Sequence, residues 1–196
     1  MVASPGGPSP NVDIGPLTWT ALIGVSLPVS ATHGPTRTDG LHAEGFSHDK
    51  AGAVLAAAHI ALRLDPHIGS TVLETTISGQ VTGEPGDIEA LRTRLLGAYQ
   101  QLASSLGGGG GAPVGRLSAA PRAFRVAVDG DSAQVWLVVE GAGPEGSVQF
   151  KVVALHLTWA NEDWRLHAPP GGSWTSQATA LADISGYQDL LKGSTP

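Results

Sequence analysis

The chain has 196 residues, 41% hydrophobic, 14% charged and none of them Cys; that is the length of one domain with a real core, without a disulfide framework, thiolate metal site or Cys nucleophile. Eleven Lys and Arg against 17 Asp and Glu give a net charge of −6, and only Lys50, Lys151 and Lys192 are lysines, so the basic footprint of a nucleic-acid binder is missing. No apolar run approaches the roughly 20 residues of a membrane span, and the 27 Gly and 14 Pro gather in the ends and loops.

Residues 1–16 (MVASPGGPSPNVDIGP) read as a disordered Pro/Gly/Ser linker without the basic start and apolar centre of a signal peptide. A Met followed directly by linker composition raises the expectation that the chain is a piece of a longer protein with an upstream signal or membrane helix. Residues 17–30 read as an extended segment stopped by Pro28, and 31–46 as a long loop turning at Gly34-Pro35 and Asp39-Gly40.

A helix is predicted from an N-cap at Ser47, with Asp49 in its first turn, to Leu64. Val54, Leu55, Ala58, Ala61 and Leu62 share one face, and the alanines allow close approach to a neighbouring layer. Asp65-Pro66 ends it. Residues 70–79 read as a short second helix. A third starts at a cap on Asp87, carries the stripe Ile88, Leu91, Leu95, Tyr99, Leu102, Leu106, and stops at Gly107. Gly107–Gly111 is then a flexible connector.

Beyond it the period falls to two. Strand character covers 113–128, 132–140 and 147–160, with a hairpin at Asp129-Gly130 and a turn at Asn161-Glu162-Asp163 leading into Trp164–His167. In 147–160 the apolar parity changes from Val148, Phe150, Val152 to Val153, Leu155, Leu157, Trp159, which predicts a bulge or bend near Val152-Val153. The tail 173–191, with Trp174, Ile184, Tyr187 and Leu190, is expected to lie across the domain. The fold class is α+β, N-terminal helices on a strongly curved antiparallel sheet, in one domain over 17–191 with a flexible tail at 192–196.

GVSLPVSATHGP (24–35), GFSHDKAGAVLAAAHIALR (45–63), WANEDWRLHAPPGG (159–172) and ISGY (184–187) resemble a group of actinobacterial proteins of unassigned function linked to conjugative elements. The element order resembles the nuclear transport factor 2-like fold, found also in periplasmic domains of type IV secretion and Gram-positive conjugation assembly proteins. The resemblance covers roughly 17–190 and carries no catalytic signature. It implies an extracytoplasmic domain, anchored through an upstream helix that this chain lacks; a cytoplasmic protein of the same fold is the alternative.

Chemistry-bearing clusters each have an ordinary reading beside the functional one. His42, Glu44 and His48 offer imidazole and carboxylate ligands, but the spacing matches no zinc-protease helix, and a polar loop explains it. Asp65-Pro66-His67 reads as turn chemistry, and Glu140, Glu145, Glu162 and Asp163 as a solvated margin. The glycine run lacks the strand, helix and Lys-Ser/Thr of a phosphate loop, and no G-x-S-x-G is present. His59 is expected to be a half-buried structural histidine, and His156, between Leu155 and Leu157, to face solvent or a partner. Trp136, Trp159, Trp164 and Trp174 are candidates for core or hairpin packing, or for a partner surface. No cofactor or metal is expected. The favoured function is a non-enzymatic interaction domain with protein partners or copies of itself. The alternative is an isomerase-like or small-molecule site in the cone interior, through His59, Tyr99 and His156.

Overall fold

A computed structural model of the chain describes residues 11–193. The first ten residues of the expected linker and residues 194–196 of the expected tail lie outside the described residues. Residues 11–16 depart from linker behaviour: Val12 and Ile14 are buried in the core, and the Val12 backbone exchanges hydrogen bonds of 2.8 and 2.7 Å with the Gln188 amide. Two apolar side chains in a polar stretch suffice to seat it.

Leu17–Leu22 (β1) and Val25–Ser30 (β2) form a two-stranded ribbon around Ile23-Gly24. Pro28 was expected to stop the strand but sits within it, opposite Trp19. A proline is tolerated on an edge strand, where its missing N–H costs no ladder bond. The expected long loop contains a small hairpin of Arg37–Thr38 (β3) and Ala43–Glu44 (β4).

The first helix, Lys50–Arg63 (α1), is capped by Asp49 rather than Ser47. Asp49 is extended and accepts from the Gly52 N–H at 2.8 Å, while the Ser47 hydroxyl supports its carboxylate at 2.8 Å. Almost every residue of α1 is buried, because the sheet, β2, β4 and the next helix surround it. That helix is Ser70–Gln80 (α2), which runs into Val81–Thr82 (β5). The third, Pro85–Leu106 (α3), starts with Pro in its first turn and ends at Gly107 in the left-handed conformation that favours glycine. Asp87 is therefore inside the first turn, where its carboxylate accepts from the Gly171 N–H at 2.8 Å.

The large sheet is built from Ala119–Asp129 (β6), Ser132–Ala142 (β7), Val148–Ala160 (β8) and Asp163–His167 (β9), all antiparallel. β5 adds in parallel beside β9. Two strands of the tail, Ala178–Leu181 (β10) and Gln188–Asp189 (β11), pair with β8 and β6 respectively. The sheet does not close. α1 lies on its inner face; α3 packs on α2 and on the turns at 66–68 and 170–172 instead of lining the strands.

The expected bulge in β8 is not there. β8 pairs with β7 without a shift from Val148 to Thr158, and the register irregularity lies in β6, between Pro121 and Ala123. The parity change has another cause. Val153, Leu155, Leu157 and Trp159 face the α1 core, whereas Phe150 and Val152 face outward into a second cluster with Ala123, Val138, Trp136, Leu181, Ile184 and Tyr187. The tail crosses the outer face from the β8 edge to the β6 edge, so one end of β8 is apolar on both sides.

Candidate functional site

The sequence nominates the space between α1 and the sheet first. It is filled: the alanines of α1 allow Phe124, Val135, Leu137, Leu155, Leu157, Trp164 and Leu166 to form one continuous buried cluster with the helix. His59 lies within it, fully buried rather than half-buried. Its Nε2–H donates to the Pro28 carbonyl at 2.9 Å, and its Nδ1 accepts from Arg63 at 3.1 Å. Pro28 lacks an N–H, but its carbonyl supplies the partner a buried imidazole needs. Burial pushes the His59 pKa down to about 4; the Arg63 charge acts the same way, while the Pro28 bond opposes. The ring is neutral and both its nitrogens are engaged.

Arg63 is equally buried, and burial lowers its pKa to about 10. It also donates to the His59 carbonyl at 3.2 Å, at the helix end where a cation is favoured.

Tyr99 and His156 are elsewhere. The Tyr99 hydroxyl accepts from the Gly111 N–H at 3.1 Å and so ties down the glycine connector. His156 is exposed on the outer face, as its neighbours Leu155 and Leu157 required. The structure does not bring His59, Tyr99 and His156 together.

Of the H-x-E-x-x-x-H residues, the His42 ring and the Glu44 carboxylate are in contact, with Arg37 on the same carboxylate. They border a polar depression of about 290 Å³ with Thr75, Gly79, Gln80, Asp163 and Arg165. His48 is not part of it. That ring stacks on Trp159 at 4.3 Å and meets Asp131 at 3.1 Å. Among the described residues no group of three His, Asp or Glu is placed to hold a metal ion.

Asp163 was expected on a solvated margin but is buried. Its carboxylate accepts from the backbone N–H groups of Gly45 (2.9 Å), Phe46 (3.3 Å) and Trp164 (2.9 Å), fastening the loop before α1 to β9. Glu140 pairs with Arg122 at 3.2 Å. Asp65 accepts from the His67 backbone and ring, the turn chemistry expected of it.

The four tryptophans do not share a surface. Trp164 is fully buried, with its indole N–H on the Ser47 carbonyl at 2.9 Å. Trp159 packs edge-on against it at 5.4 Å. Trp174 borders the inner core and Trp136 the outer cluster.

At the far end of the sheet Ser118, Gln149 and Lys151 join Val139, Val148 and Phe150 in lining a groove of about 360 Å³. Val148, part of that lining, is 62% exposed.

One cluster escaped the sequence reading. His156 and His167 stack at 4.3 Å, with the Ser132 hydroxyl 3.0 Å from one ring and the Thr158 hydroxyl 2.7 Å from the other. The signal was present: a two-residue turn at Asn161-Glu162 pairs Ala160 with Asp163 and so places 156 opposite 167. Among the described residues no helix is long and apolar enough to cross a membrane.

A family model for a domain of unknown function (DUF8175) matches residues 3–189, and the chain belongs to that family. No curated protein and no solved structure matches the chain.

Proposed function

We propose that this is a non-enzymatic protein–protein interaction domain that holds neighbouring subunits through the far end of its sheet. The observation that carries the reading is the filled inner face, where His59 has both ring nitrogens engaged, set against an open groove of mixed polar and apolar lining at the far end of the sheet. Val148 protrudes from the lining of this groove, so a two-fold contact would seat the valine of each copy in the groove of the other. A second copy of this chain is therefore the first partner.

The finer fold reading belongs with this proposal. Helices that precede a meandering sheet, and a bulge that bends β6, support a nuclear transport factor 2-like cone. The sequence resemblance supports an extracytoplasmic setting in an actinobacterial conjugation or envelope-assembly protein, anchored by a segment upstream. The rival cavity reading needs His59, Tyr99 and His156 around one ligand, and each has a different structural neighbourhood.

Sedimentation velocity over a wide concentration range tests the proposal. The expected result is reversible self-association that Val148→Asp abolishes while the melting temperature stays put. A wild-type chain that sediments as a monomer at every concentration contradicts it.

A further inference from the structure

We propose that His156 and His167 form a two-imidazole chelate for one divalent transition-metal ion on the outer face of the sheet. The β8–β9 register, continued one pair beyond Leu157–Leu166, places the two residues across from each other, where paired side chains sit about 5 Å apart. Their rings are stacked at 4.3 Å and tilted by only 24°. Tetrahedral zinc with bonds of about 2.0–2.1 Å needs its two ligand nitrogens about 3.3 Å apart. The lone pairs lie in the ring planes, so the stack opens when one ion is shared, and the exposed His156 ring has the freedom to swing.

The hydrogen bonds leave the right atoms open. Each Nε2 faces a hydroxyl, Ser132 Oγ for His156 and Thr158 Oγ1 for His167. A hydroxyl accepts as readily as it donates, so both rings can carry their proton on Nε2 and present a lone pair at Nδ1. Metal-bound histidines are characteristically oriented through such a bond from the other ring nitrogen. Neither Nδ1 has a hydrogen-bond partner among the described residues, and neither is a buried orphan. Gly83 adjoins the His167 Nδ1: a Cβ there would lie 3.7 Å from it, so the absence of a side chain keeps that approach clear. Two imidazoles and no thiolate suit zinc, nickel or copper over magnesium or calcium. Solvent or a partner's side chain completes the coordination.

The test is calorimetric titration of the untagged chain with Zn²⁺ alone, and separately with Cu²⁺ alone. The expected result is saturable one-to-one binding that weakens by about tenfold or more in His156→Asn and in His167→Asn. His48→Asn and His67→Asn, whose rings lie elsewhere, retain it. Thermal melts establish that the variants fold. Paramagnetic broadening by Cu²⁺ centred on residues 156 and 167 supplies a readout independent of any variant. The proposal is overturned if saturable binding is absent, if it survives both substitutions, or if the broadening centres on another histidine.

Discussion

The two faces of the central sheet are covered in different ways. The inner face meets an alanine-rich helix across a continuous buried cluster that includes Trp164, Phe124, Leu137 and Leu155. The outer face meets a single crossing of the C-terminal tail, held by Ile184, Tyr187 and Leu181 over Ala123, Val138 and Val152. The inner contact is apolar and extensive. The outer one is narrow and is reinforced by polar ties: Arg122 meets Asp189 at 2.6 Å and Glu140 at 3.2 Å. The comparison teaches that most of the buried apolar packing lies on one face and a smaller share on the other.

Breaking the inner face has the largest effect. Trp164→Ala removes a fully buried ring and its bond to Ser47, and denaturant unfolding should show a loss of about 3–5 kcal/mol. The buried His59 gives the next largest. Unfolded, it takes up a proton near its ordinary 6.5; folded, only near 4. Between those values the unfolded chain binds more protons. Its contribution is therefore fully present above pH 6.5 and declines by about 3 kcal/mol as pH falls to 4. His59→Gln should flatten that part of the curve, measured by unfolding at a series of pH values.

The outer face should yield less. Val152→Ala removes two methyl groups from the smaller cluster and is expected to cost about 1–2 kcal/mol by the same unfolding assay. Smallest is Arg122→Ala, at about 1 kcal/mol, because its ion pairs are partly solvated. Its sharper readout is hydrogen exchange, which should quicken at Gln188–Leu190 and leave the β7 amides unchanged.

Local signals carried most of the element order. The α1 and α3 periodicities, Asp129-Gly130 and the stop at Gly107 all act within a few residues of themselves. Other features depend on distant partners. Asp49 displaces Ser47 as cap because Ser47 is turned toward Asp49 and Trp164. Pro28 stays in a strand because that strand is an edge and His59 takes its carbonyl. The parity change in β8 could not be attributed from sequence, since a bulge and a second covered face leave the same pattern. Asp163 reads as a surface carboxylate until three backbone N–H groups from two segments converge on it. Among candidate site residues, the outward position of His156 followed from its neighbours alone, whereas its contact with His167 needed the register.

Nuclear Overhauser contacts from the methyls of Val152 and Val153 test the two-faced sheet most directly. The account predicts that Val152 contacts Ile184 or Tyr187 of the tail and that Val153 contacts the α1 side, with no shared partners. Finding both valines against the same set of side chains would restore the bulge and contradict it.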